Sequence, residues 1–225
     1  MKNTYVSIVL FLIGTLNLQA KTETLMLVGD VFDNDVSYPY PNGITAFGNK
    51  VVFIGVDGIN GREPWISDGK GAGTFMLKDI EQGENRSMSN APQSGDSYQN
   101  GYFKLLNGRM LFKAENMEYG GELWSTDGRT AGTYLVKDIN PTSSFDGPSN
   151  LIFYDNRVYF RTAVHSVGQT WVTEETEAGT SLFLNGGYLC PVIHNDKLFF
   201  IHEQGLGYTN GTVTLKEIII LTPTQ

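Results

Sequence analysis

The sequence predicts an all-β chain built from repeated four-stranded antiparallel units, β-propeller-like, with a ring that the unit count leaves incomplete or open. Three observations predict it. A block holding Trp, Asp-Gly and Ala-Gly-Thr recurs along the chain, a pair of short apolar runs with a polar corner precedes each copy, and Gly is abundant at 26 of 225 residues beside 13 Phe and 11 Tyr. Glycine-rich turns with many aromatics and only 18% charged residues suit many short strands.

The block is clearest at residues 62–80, REPWISDGKGAGTFMLKDI, and 121–139, GELWSTDGRTAGTYLVKDI, which align without a gap. Trp65 meets Trp124, Asp68-Gly69 meets Asp127-Gly128, and Gly73-Thr74 meets Gly132-Thr133. A third copy, 170–184, keeps Trp171 and Gly179-Thr180 but has Glu174-Glu175 where Asp-Gly stood. A fourth, 207–218, places Tyr208 in the Trp position and ends in LKEI. Such self-similarity marks a repeat architecture. These Trp, Asp, Gly and Thr residues are the structural motif: an Asp carboxylate accepts backbone N–H groups just downstream, and Gly takes a φ that a Cβ forbids. Turn-building is therefore the first reading of the Asp residues, ahead of ligand binding.

Upstream lie ITAFGNKVVFIGVD, FKLLNGRMLFKAEN, LIFYDNRVYFRTAV and PVIHNDKLFFIHEQ, with hairpin corners near 49, 108, 156 and 196. In the second unit this gives strands near 102–106, 109–115, 121–126 and 132–139. VVFI, RMLF, RVYF and KLFF are apolar on both faces, as in sheets covered on both sides. Units fall at about 42–80, 101–139, 150–184 and 190–218, in a single repeat-built domain over 21–225. An extra N-terminal strand, 24–31, resembles the last strand of a unit. The polar segment 81–101 reads as a long exposed loop.

Residues 1–20 read as a signal peptide: Lys2, then the apolar stretch Ile8–Leu16, then Ala20 before the cleavage point. That stretch is shorter than the about 20 residues a membrane span needs, and no later segment is long and apolar enough. The expected location is secreted: extracellular, cell-surface or periplasmic. The formal net charge of −8 becomes more negative once Lys2 is lost, and such a field repels nucleic acid. The lone Cys190 cannot form an internal disulfide and reads as a core residue.

GELWSTDGRTAGTYLVKDINP resembles the ELWxxDGT repeat family. Residues 122–141 match almost throughout and 63–80 match well; the two later copies match less. The resemblance implies a mainly bacterial, secreted or surface protein with a propeller fold and no established enzymatic activity. Many members are longer and end in a sorting module. This chain stops at LKEIIILTPTQ, its third unit lacks Asp-Gly, and about four units is the low end for a closed ring.

No catalytic, cofactor-binding or metal-ligating set is expected. His165, His194 and His202 lack a completing Cys or carboxylate, although His194 and His202 could meet across a hairpin. Asp30, Asp33 and Asp35 fail the EF-hand pattern at Tyr38 and Ile44. Glu174, Glu175 and Glu177 read as a solvated corner. The leading function is a secreted, non-catalytic binding or structural module for an unknown protein or glycan ligand, with self-association through edge strands as a further expectation. One alternative is a propeller-type glycoside hydrolase or sialidase-like enzyme, distinguished by convergence of Arg62, Arg109, Arg129, Arg157 and Arg161 on a Glu. Another is a shortened paralogue without independent function.

Overall fold

The computed structural model describes residues 42–88, 102–141, 147–164, 167–185, 187–202, 205–212 and 217–219. The signal segment, strand 24–31, Asp30, Asp33, Asp35 and His165 lie outside the described residues.

Four antiparallel sheets of four strands follow one another in chain order. Sheet 1 holds β1 (Asn42–Phe47), β2 (Lys50–Gly55), β3 (Glu63–Ser67) and β4 (Phe75–Met76). Sheet 2 holds β5 (Phe103–Leu106), β6 (Arg109–Asn116), β7 (Gly120–Thr126) and β8 (Tyr134–Lys137). Sheet 3 holds β9 (Ser149–Tyr154), β10 (Arg157–Val164), β11 (Val167–Thr173) and β12 (Ser181–Asn185). Sheet 4 holds β13 (Gly187–His194), β14 (Lys197–His202), β15 (Gly205–Thr209) and β16 (Glu217–Ile219). Each sheet is a meander in sequence order, and the first strands touch in series: β1 against β5, β5 against β9, β9 against β13. Among the described residues no comparable contact joins β13 back to β1. The protein is an open, β-propeller-like array of four sheets. Among the described residues no helix is long and apolar enough to cross a membrane.

The core lies between sheets, as runs that are apolar on both faces require. Val52, Ile54 and Ile66 of sheet 1 pack on Met110, Phe112, Ala114 and Trp124 of sheet 2. Leu111 and Leu123 on the other face of sheet 2 pack on Val158 and Phe160 of sheet 3, with Trp171 beside them. Tyr159 and Val172 then meet Leu198 of sheet 4. Trp65, Trp124 and Trp171 are opposite Phe53, Phe112 and Phe160, so they occupy one repeated place. Each faces away from the sheet that follows it.

Three expectations need correction. Gly207, not Tyr208, holds the Trp place in sheet 4, because it lies opposite Phe200. A Cβ there would meet the Phe200 ring at 2.6 Å. Tyr208 faces the other way, opposite Phe199. The fourth strand of unit 2 starts at Tyr134 rather than 132, since Thr130–Gly132 form a 3-10 turn, matched by Gly71–Gly73 in unit 1. The beginning of the 81–101 segment is not an exposed loop throughout: Ser87 and Met88 are buried, with Met88 in the core between sheets 1 and 2. The backbone N–H groups of Ser87 and Met88 donate to Arg62, and Ser87 accepts from Glu115, which ties this link to both sheets.

Candidate functional site

The motif residues build the turn between the third and fourth strands. Strand three ends in Ser67, Thr126, Thr173 or Thr209, whose hydroxyl accepts the N–H two residues on, from Gly69, Gly128, Glu175 or Gly211. Asp68 and Asp127 accept the N–H groups of Lys70 and Arg129. Their carboxylates then lie where a Cβ on Gly73 or Gly132 would have to sit, which explains glycine at both places. The closing Thr74, Thr133 and Thr180 each share a 2.7 Å hydroxyl–hydroxyl bond with the residue ending strand three. They also donate to the carbonyls of Lys70, Arg129 and Thr176. The motif is thus a hydrogen-bonded corner.

That corner seats on the preceding unit. Gly128 (φ +85) lies against Phe47 and Ile66 of unit 1. Gly211 lies on Asp155 of unit 3, and Arg157 donates to the Gly211 carbonyl at 3.0 Å. Glu175 takes the same place between units 2 and 3, with φ +78 and its side chain largely buried. Asn107 donates to its carboxyl group, and the Arg109 Nε stands 3.9 Å away. Burial pushes the Glu175 carboxyl up from its ordinary value, against the opposing pull of Asn107 and Arg109. The repeated Lys of the KDI ending also bridges units: Lys78 reaches Thr133, and Lys137 reaches Glu177.

A chain of charges therefore runs along this rim. Arg129 and Arg109 flank Asp127, Arg109 leads to Glu175, and Arg157 holds Glu174 at 2.7 Å with Asp155 beside it. The hydrogen bond from Arg129 holds the Asp127 carboxyl below its ordinary value. Glu174, Glu175 and Glu177 are thus not a merely solvated corner: two of the three meet arginines. Arg62 lies near Tyr102 and Arg86 instead.

A feature that the sequence reading missed lies at the far end of strand three. Glu63 and Glu122, two residues before Trp65 and Trp124, are buried carboxyl groups. Glu63 accepts N–H bonds from Ile80 and Glu81 and a 2.6 Å bond from the Ser87 hydroxyl. Glu122 accepts from Asn140 at 2.8 Å. Burial pushes Glu63 up to about 8 and Glu122 up to about 7, so Glu63 is largely protonated at neutral pH. These residues staple the link that leaves each unit. Their signal was the fixed spacing between the Glu of ELW and the KDI ending.

Two of the histidines hold opposite ends of one hairpin. His194 is opposite Lys197 at the turn of its hairpin, whereas His202 is opposite Gly187 at the open end. Among the described residues no group of three His, Cys, Asp or Glu side chains is placed to hold a metal. Cys190 lies on β13.

A surface remains on the first strands. Leu105, Phe153 and Ile193 hold one repeated step of β5, β9 and β13, opposite Met110, Val158 and Leu198. They are 51%, 47% and 49% exposed. Ala46 holds this step in β1, and Ile44, two residues earlier, is also exposed. Because these strands touch in series, they present an apolar row along the inner side of the array. Such a row offers dispersion contact to an apolar or sugar face, with no acid–base chemistry of its own.

No family model matches the chain, and no curated protein matches it. Three solved structures are similar to it at low identity. The crystal structure of a nidogen/laminin complex shares 7% identity with a TM-score of 0.39, covering 72% of this chain and 57% of that one. The tricorn protease shares 14% identity with a TM-score of 0.34, covering 79% of this chain and 22% of that one. Zg3597, a family 117 glycoside hydrolase produced by the marine bacterium Zobellia galactanivorans, shares 11% identity with a TM-score of 0.34, covering 82% and 70%. The chain thus spans less than two thirds of the first two.

Proposed function

We propose that the protein is a secreted or surface-associated, non-catalytic binding or structural module of the ELWxxDGT repeat kind, and that the inner apolar row is its contact surface. One observation carries this reading: the first strands of four successive sheets leave Ile44, Leu105, Phe153 and Ile193 exposed. Contiguous apolar exposure of that kind marks interaction surfaces. The partner is a protein or glycan offering an apolar face. Its test is a glycan and protein array probed with the purified chain and with a Leu105→Ser, Phe153→Ser double variant. The reading expects a retained ligand that the variant loses while keeping its melting temperature within a few degrees. A ligand held equally by both proteins would refute it.

A second reading, a propeller-type glycoside hydrolase or sialidase-like enzyme, draws on the rim where Arg109 and Arg157 flank Glu174 and Glu175. Its test is turnover of a glycoside panel by the wild type and by Glu175→Gln. Turnover that the substitution abolishes would replace the binding reading.

A further inference from the structure

The Phe–Trp pairs of sheets 2 and 3 each face the sheet before them. Phe112 and Trp124 share a core with Val52, Ile54 and Ile66 of sheet 1. Phe160 shares one with Leu111 and Leu123 of sheet 2, with Trp171 beside them. The matching pair of sheet 1, Phe53 and Trp65, faces outward with ring centroids 6.5 Å apart. Among the described residues its apolar partners are Val51 and Met76, both of its own sheet. The pair is nonetheless covered. Phe53 is 6% exposed and Trp65 9%, so Trp65 is better shielded than Trp171, which is only partly buried beside a whole sheet. The cover therefore comes from a part of this same chain outside the described residues.

The repeat identifies that part. After sheet 1 the ending Met76-Leu77-Lys78-Asp79-Ile80 places Leu77 and Ile80 in the core that holds Phe112 and Trp124. After sheet 2 the ending Leu135-Val136-Lys137-Asp138-Ile139 places Val136 and Ile139 beside Phe160 and Trp171. Leu77, Ile80 and Ile139 lie past the last residue of the fourth strand, so they give this cover from a link rather than from a sheet. The same five-residue step stands ahead of β1 as Leu27-Val28-Gly29-Asp30-Val31. Val28 takes the place of Leu77 and Val136, and Val31 that of Ile80 and Ile139. Residues 32–41 then lead to β1, as 140–148 lead to β9, two links of almost equal length. Their far ends match as well: Gly43 and Asn150, two residues past Pro41 and Pro148, hold φ +65 and +53.

We propose that residues 27–31 dock on the outer face of sheet 1, with Val28 and Val31 against Phe53 and Trp65, as the links after sheets 1 and 2 dock on the sheets that follow them. Aliphatic cover of an aromatic pair is favourable in proportion to the apolar area it removes from water. Residues 89–101 are polar and offer no pair of aliphatic side chains at this spacing, and residues 142–146 are tethered between sheets 2 and 3. Bare, the Phe53–Trp65 face would be an apolar patch of the kind that takes partners. The N-terminal segment withdraws it, which makes that segment a working part of the array.

Oxidation of the tryptophans by hydroxyl radicals, read residue by residue by mass spectrometry on the full chain, tests the proposal. Trp65 should be protected about as well as Trp124. Val28→Ala combined with Val31→Ala should speed oxidation of Trp65 about tenfold, the scale on which lost buried methyl groups raise a local opening, and leave Trp124 unchanged. Val31→Ile, which restores the Ile of the other two endings, should keep Trp65 protected. A Trp65 that reacts as fast as in the unfolded chain, or one indifferent to the two alanines, would overturn the proposal. So would equal gains at Trp65 and Trp124, or protection that dilution removes, which would assign the cover to a second copy.

Discussion

At Glu175 the backbone holds φ +78 where the other units place glycine, with Gly69 and Gly128 at +85 and Gly211 at +93. A side chain in that region costs about 1–2 kcal/mol. The buried carboxyl adds a desolvation cost that Asn107 and Arg109 offset in part. Glu175→Gly is therefore expected to stabilise the protein by about 1 kcal/mol, read from urea unfolding; a loss of similar size would mean that the contacts to unit 2 outweigh the strain. Asp127 and Gly132 test the corner itself. Because the Asp127 carboxylate fills the place of a Cβ on Gly132, Gly132→Ala should cost about 1–3 kcal/mol alone and much less in an Asp127→Ala background. Equal costs in both backgrounds would remove Asp127 as the reason for glycine. The Asp-Gly and Ala-Gly-Thr steps were legible in the sequence because their chemistry is local. Glu63 and Glu122 were not, because their donors come from a link far along the chain.

Each unit is joined to the next through elements whose register, rather than composition, decides what faces what. The hairpin corners were readable because Asn, Asp and Gly sit between apolar runs, and Asn107, Asp155, Asn156, Asn195 and Asp196 do take positive φ there. Tyr208 misled because an aromatic stood next to the expected place. Aligning Thr209-Asn210-Gly211 on Thr126-Asp127-Gly128 would have put Gly207 opposite Phe200, as the hydrogen-bonded corner does. Trp124 lies between sheets 1 and 2, so Trp124→Ala should cost about 3–5 kcal/mol in chemical denaturation; below about 1 kcal/mol, its place in the core would mean little. The Glu staples give the links a pH dependence. Their folded-state values, about 8 for Glu63 and about 7 for Glu122, lie above the ordinary 4.5, so folding takes up protons. Stability from each is greatest below about pH 4.5 and falls by about 1.4 kcal/mol per pH unit until its folded value is passed. Glu63→Gln should flatten the slope between pH 5 and 8, measured by thermal melts across that range; an unchanged slope would assign it elsewhere.

For the whole molecule, stacking explains why strands apolar on both faces coexist with a modest hydrophobic fraction of 40%. Three inter-sheet cores replace one central core, and polar motif residues act as joints between neighbours. The class of fold was legible because a repeat announces itself in the sequence. The inner apolar row was not, since exposure depends on which sheets lie next to each other. Amide hydrogen exchange of the native chain tests most directly whether four equivalent sheets form one stacked array. Protection should recur four times, strongest in the middle strands β2 and β3, β6 and β7, β10 and β11, and β14 and β15, each paired on both sides. Exchange at unstructured rates through the middle strands of any one sheet would contradict it.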